Sequence, residues 1–117
     1  MGSDPQSFLQ AQHDAIGAES LAEYVIDQRR WSQVTFGPGK RTRGITQHIS
    51  KELDEIRAAP ADISEWIDVI ILAIDGYWRA GGDPHGLMQA LRAKQAVNFS
   101  RRWQPTTSED EATEHVR

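Results

Sequence analysis

Apolar residues recur along this chain at spacings of three and four, and no run alternates long enough to suggest a strand. Asp4-Pro5 opens a short helical stretch ending near Gly17, with proline in the first-turn position it tolerates. Ser20 and Glu23 have capping-box spacing and open a helix predicted to run to about Arg30. Trp31 to Gly44 reads as a loop, because it contains Phe36-Gly37-Pro38-Gly39 and the basic cluster Lys40, Arg41 and Arg43. A helix from about Gly44 to Arg57 follows, and Ala58-Ala59-Pro60-Ala61 breaks it. Asp62 caps a long helix to about Ala80, which Gly81-Gly82 stops. Asp83-Pro84 opens a last helix reaching roughly Trp103, before Pro105. The pattern predicts an all-α domain over residues 1–104: a four-helix-bundle core with an N-terminal helical extension. Residues 105–117 form a separate tail.

Two of these helices carry acids where oil is expected. Ile45, Ile49, Leu53 and Ile56 share one face of the helix from Gly44, and Glu52 projects within roughly 20° of Ile45 on the same wheel. Glu55, three residues on, neighbours Glu52 at the border of that face. In the next helix Ile63, Ile67, Ile70, Ile71, Ile74 and Trp78 make a broad apolar face, extended by Trp66, Val69 and Leu72. A helix apolar on most sides is expected to be central and buried. Glu65, Asp68 and Asp75 nevertheless share one stripe of it, at roughly 160°, 100° and 80° from Ile67. Burying ionised carboxylates costs several kcal/mol each unless something positive compensates them. Glu52, Glu55, Glu65 and Asp68 would therefore meet as an all-oxygen cage of the kind hard cations such as Mg²⁺ or Mn²⁺ favour. A plainer reading stands beside it. Asp62 and Glu65 also fit a capping box, and Lys51/Glu55 and Asp75/Arg79 fit ordinary i,i+4 pairs.

Composition narrows the setting. The 117 residues fit one domain, and 38% hydrophobic content makes a thin core for a monomer, which an oligomer would relieve. The absence of cysteine excludes disulfides and Cys-based zinc sites and suits an intracellular, cytoplasmic protein. The longest strongly apolar run, Val69 to Ile74, is far too short to span a bilayer, and the polar, acidic N-terminus lacks a signal-peptide pattern. Net charge is −4, of which Glu109, Asp110, Glu111, Glu114 and Arg117 supply −3. The tail reads as disordered, and the near-neutral body argues against a nucleic-acid partner.

The last helix continues its Leu87 and Leu91 stripe into Lys94, Asn98 and Arg101. These would clamp phosphates, or else complement the helix dipole near its C-terminus. Trp31 or Phe36 would stack on a base, or else anchor the loop in the core. The loop lacks GxxxxGK[ST], so it is not a Walker A motif, although its basic cluster could attract phosphate. His48 sits beside the acidic stripe, where it supports an acid or simply packs.

The segments Lys51-Glu52-Leu53-Asp54-Glu55 and Glu65-Trp66-Ile67-Asp68 resemble the ExxE…ExxD metal motif of the MazG-like all-α NTP pyrophosphohydrolases. Trp31 to Gly39, Lys51 to Ile56, Glu65 to Gly76 and Lys94 to Arg101 resemble, in order, four motifs of its dATP/dGTP pyrophosphohydrolase branch. The likeness covers about three fifths of the chain. It implies cleavage of purine dNTPs to dNMP and pyrophosphate by water attack at the α-phosphorus. It also implies two or more Mg²⁺ ions per site, with Mn²⁺ able to substitute, and a homo-oligomer, dimer or tetramer. Carried over by position, Glu52, Glu55, Glu65 and Asp68 would hold metal, with Glu55 or Glu52 also acting on the water. Lys94, Asn98 and Arg101 would hold phosphates. The branch includes MazZ-type phage enzymes, which make dGMP for 2-aminoadenine DNA in the cytoplasm of an infected host. Lys51 departs from the fuller EExxE form, and the nine residues between Glu55 and Glu65 require a tight turn.

Three rivals differ in class. A catalytically silent helical interaction module would keep the helices and caps without metal-dependent pyrophosphate release. A ferritin-like di-iron bundle needs Glu-x-x-His pairs, which this chain lacks. A nucleic-acid binder using Lys40, Arg41, Arg43, Arg101 and Arg102 would show steep salt dependence.

Overall fold

A computed structural model describes residues 5–7, 20–103, 112 and 115–116. The four long helices are α1 (Leu21–Phe36), α2 (Thr42–Ala58), α3 (Ile63–Arg79) and α4 (Leu87–Ser100), with a 3-10 turn at Pro84–Gly86 before the last. Residues 5–7 are helical, and the remainder of the expected N-terminal extension lies outside the described residues. Among the described residues no helix is long and apolar enough to cross a membrane.

Side-chain caps set two helix starts. Ser20 Oγ accepts from Glu23 N at 3.1 Å to open α1, and Asp62 Oδ1 accepts from Ser64 N at 3.0 Å to open α3. The α1 end differs from expectation: Trp31 to Phe36 is helix, and only the segment after it is loop. Nothing in Trp31-Ser32-Gln33-Val34-Thr35-Phe36 breaks a helix, and Ser32 is fully buried against α3, so packing carries α1 two turns further. Gly37, at φ 88°, then turns the chain in a region that side chains disfavour. Gly82 is required for another reason, since a Cβ there would run into the ring of Tyr77, whose hydroxyl donates to Asp83 O at 2.8 Å.

α2 and α3 pack along their length, α1 lies across α3, and α4 meets α1 and the 3-10 turn. Val25, Ile74, Trp78 and Leu87 form the core cluster, with Leu21, Tyr24 and Tyr77 against it. The expectation that α3 is buried on most sides is corrected. Its second half is buried at Ile74 and Trp78, but Ile63 is 79% exposed and Trp66, Ile67 and Ile70 about half. α4 packs on α1, and on the side of α3 that carries Ile63, Trp66, Ile67 and Ile70 these residues stay half or more exposed among the described residues. α4 stops at Ser100, short of Trp103, because Arg101 turns to extended backbone. Arg102–Trp103 then pairs antiparallel with His115–Val116, so those two residues of the expected disordered tail lie in a ladder that helical periodicity did not reveal. The rest of the tail, except Ala112, lies outside the described residues.

A buried polar network ties the loop after α1 to α3. Arg79 Nε donates to Asp75 Oδ1 at 2.7 Å, and both side chains are almost wholly buried. Ser32 Oγ donates to the same carboxylate at 3.0–3.1 Å and accepts from Arg79 Nη2 at 2.9 Å. Arg79 Nη1 donates to Gly37 O and Gly39 O at 2.9 and 2.8 Å. The i,i+4 pairing of Asp75 with Arg79 thus exists, but as an interior staple and not as a solvated pair. Replacing Arg79 with alanine strands a buried carboxylate and two carbonyls, and is expected to cost about 3–5 kcal/mol. Urea unfolding of R79A beside the unaltered chain measures this.

Candidate active site

Glu52 stands one turn before Ile56 and two after Ile45 on the inner face of α2, so helix geometry alone turns its carboxylate toward α3. Glu55 is beside it, and Glu65 arrives from the first turn of α3. The three offer carboxylate oxygens within 4.8 Å of one another. Asp68 follows one turn along α3, more exposed, and shares a cavity wall with Glu52. Glu65 therefore serves this cluster and not the helix cap, which Asp62 completes on Ser64. His48 Nε2 lies 3.2 Å from Glu52 Oε1, and the half-exposed imidazole lines the same cavity as the acid.

Crowding of like charge shows in the protonation of the group. Glu52 is raised above the ordinary carboxylate value first by a side-chain hydrogen bond with Glu55. Burial and the charges of Glu55 and Asp68 add to this, and His48 opposes it. Glu65 is raised first by burial, then by a hydrogen bond with Glu55, then by the charges of Glu55, Asp62 and Asp68. Glu52 Oε2 and Glu65 Oε2 are buried and find no hydrogen-bond partner among the described residues. Hard oxygen donors, converging and unsatisfied, fit a divalent cation.

Next to the acids lies a cavity of about 210 Å³. Trp31 and Phe36 from α1, Ile45 from α2, and Ile71 and Leu72 from α3 supply its apolar walls, while Glu52 and Asp68 stand at its acidic side. The Trp31 and Phe36 rings meet edge to face at 5.6 Å, and the Arg41 guanidinium covers Phe36 at 4.9 Å. Both aromatic residues singled out in the sequence thus line one cavity with two of the four acids.

A sequence profile of the dATP/dGTP pyrophosphohydrolases matches residues 25–117, a span that contains every element of this site. The chain belongs to the dATP/dGTP pyrophosphohydrolase family. It is accordingly an enzyme that hydrolyses these nucleotides with release of pyrophosphate. No curated protein and no solved structure matches it.

Lys94, Asn98 and Arg101 are not brought to the acids within one chain. They lie on or just beyond α4, which packs against α1 and the 3-10 turn, and none of them lines the cavity. Asp75 lines the cavity, but its carboxylate is taken up by Arg79 and Ser32. Arg41, from the basic cluster expected to attract phosphate, lines the cavity, and so does Gln28, which sequence reasoning missed. The spacing Leu21, Val25, Gln28, Ser32 could have found Gln28, since it puts an amide on the buried stripe of α1.

Because Glu52 and Glu65 hold protons more tightly folded than unfolded, the folded chain gains protons as pH falls from neutral toward their ordinary value of 4.5. The cluster's contribution to stability should therefore rise through that window in chelator-treated protein, and E52Q should flatten the rise. Mg²⁺ should raise the melting temperature at neutral pH and lose that effect as the acids protonate. Thermal melts across pH, with chelator or with Mg²⁺, check both signs.

Proposed function

We propose that this enzyme cleaves purine deoxynucleoside triphosphates, dGTP and dATP, to the monophosphate and pyrophosphate, with Glu52, Glu55, Glu65 and Asp68 holding Mg²⁺ or, in its place, Mn²⁺. The observation that carries this reading is the convergence of buried, unsatisfied carboxylate oxygens beside an aromatic-walled cavity. When bound, two or more such ions supply positive charge against the attacking and leaving oxygens.

The chain's own groups divide the remaining work. Glu55, touching both Glu52 and Glu65, orients a water and takes its proton, with Glu52 as the neighbouring acid that shares this role. The water oxygen bonds to the α-phosphorus, the bond to the α,β-bridging oxygen breaks, and pyrophosphate departs. His48 holds the Glu52 carboxylate in place through its Nε2 contact. Trp31 and Phe36 receive the base, whose flat apolar faces suit their walls.

Phosphate clamping by Lys94, Asn98 and Arg101 requires a second copy of the chain. From Leu87 to Trp103 the sequence carries Arg92, Lys94, Arg101 and Arg102 and no acid, while Leu91, Val97 and Phe99 are exposed. The first turns of α3 expose Ile63, Ile67 and Ile70 beside Glu65 and Asp68. An apolar, basic helix and an apolar, acidic face complement each other, so a homo-oligomer, dimer or tetramer, would cover both. The resemblance to MazZ-type enzymes extends the reading to phage-infected cytoplasm, where dGMP would feed 2-aminoadenine synthesis and dATP would be depleted.

With Mg²⁺, dGTP and dATP should yield pyrophosphate and no orthophosphate. Well-folded E52A and D68A should each lose roughly 100-fold or more in kcat. Retained activity in either variant, or release of orthophosphate alone, overturns the assignment. Light scattering should show an oligomer, and F99D should shift it toward monomer with loss of activity. A fully active monomer would refute the shared site.

A further inference from the structure

Gln28 is the one polar side chain of α1 that is both buried and part of the cavity wall. Only 8% of it is exposed, and its Nε2 donates to Ile71 O across the α1–α3 seam at 3.0 Å. That bond settles which end of the amide is which, because a carbonyl can pair only with the nitrogen. Oε1 is thereby fixed as an acceptor, and it is buried without a hydrogen-bond partner among the described residues. A buried acceptor left unpaired is unfavourable, and such groups in native interiors are nearly always matched. The missing donor must be small enough for an apolar cleft and must bear an N–H or O–H.

We propose that Gln28 is a specificity residue whose Oε1 accepts a hydrogen bond from an amino N–H of the purine base seated between the Trp31/Phe36 wall and α3. The inference rests on the nucleotide reading above and deepens it. Phosphate is excluded as the partner, since its oxygens offer Oε1 no proton and the acidic side of the cavity is where metal would draw it. The base fits, because Trp31, Phe36, Ile45, Ile71 and Leu72 supply flat and apolar walls to the cavity that Gln28 lines, while the carboxylate of Asp75 is taken up by Arg79 and Ser32. The anchoring bond to Ile71 prevents the amide from turning its nitrogen toward the ligand, so a base presenting only an acceptor there would face a lone pair. Aromatic walls give affinity for any flat ring; the fixed acceptor gives selection among rings.

The test compares paired nucleotides that differ by one amino group, dGTP with dITP and dATP with the deoxytriphosphate of unsubstituted purine, in the unaltered enzyme and in Q28M. Methionine keeps the length of the side chain and removes the acceptor together with the Nε2 donor to Ile71 O, so a thermal melt of Q28M beside the unaltered enzyme checks that the α1–α3 seam holds. Hydrolysis is followed as kcat/KM, and binding is measured separately with the α,β-methylene analogues, which cannot be cleaved. The unaltered enzyme should disfavour the amino-lacking member of at least one pair by roughly tenfold or more, mainly through KM and binding. In Q28M that ratio should collapse to within about twofold, with the amino-lacking nucleotide still bound and turned over. An unchanged ratio in Q28M, no discrimination in the unaltered enzyme, or an equal loss on all four nucleotides would overturn the proposal. So would discrimination that follows the 3′-hydroxyl, tested with dideoxynucleotides, since the acceptor would then serve the sugar. Analogue binding that discriminates without any hydrolysis of the natural triphosphates would sink the catalytic reading and leave the role of Gln28 standing.

Discussion

Repulsion among Glu52, Glu55, Glu65 and Asp68 is the constraint around which this small protein is arranged. Two helices that pack as closely as α2 and α3 would ordinarily fill their seam with aliphatic side chains, and along Ile45 and Ile56 they do. At the end where α3 begins, the seam is given to acids. The fold tolerates them in three ways visible in the structure: raised proton affinity at Glu52 and Glu65, an imidazole at Glu52, and a tight connection that places the cluster at a mouth and not in the middle of the core. None of these neutralises four charges. A divalent cation held there would, and relief of the repulsion would add to its binding.

The second polar cluster, Ser32, Asp75 and Arg79, works on opposite terms. It is closed, because the charges of its acid and base cancel and the guanidinium also satisfies two loop carbonyls. Its effect is geometric. Holding Gly37 and Gly39 against the end of α3 fixes the direction of the turn after Phe36, and hence where Phe36 and Arg41 stand over the cavity. A loop of glycine and proline could otherwise sample many paths. α3 contributes to both clusters, Glu65 and Asp68 to the open one and Asp75 and Arg79 to the closed one, about two turns apart.

The helices, their caps and the metal-type acids were legible in the sequence because each is a local pattern: Ser20 with Glu23, Asp62 before an apolar run, Glu52 and Glu55 three apart. The meeting of Glu65 with Glu52 and Glu55 was legible only through burial reasoning, which asks why an acid follows an oily stripe. Other features depended on tertiary partners that spacing does not name. Trp31 to Phe36 remained helical because Ser32 found Asp75, which overrode the loop reading suggested by the glycines and proline that follow. Asp75 shares a stripe with Glu65 and Asp68 on a wheel, yet Arg79 one turn on claims it. The broad apolar face of α3 correctly signalled burial, but its first half is not buried within its own chain.

That last mismatch links the core to the chemistry. A chain this short cannot cover a long apolar helix on every side, and α4, which might have done so, is held on α1 by Leu87 and the 3-10 turn. The uncovered apolar surface of α3 therefore lies beside the acids, while the uncovered apolar surface of α4 lies beside the cations. If one chain folded α4 back onto α3, its core and its phosphate site would be completed together but the α1 contacts would be lost. Exchanging those surfaces between copies completes both without that loss. On the proposed assignment, oligomerisation would then be a condition for binding a triphosphate, because the groups proposed to neutralise the phosphates and the groups proposed to hold the metal would come from different copies.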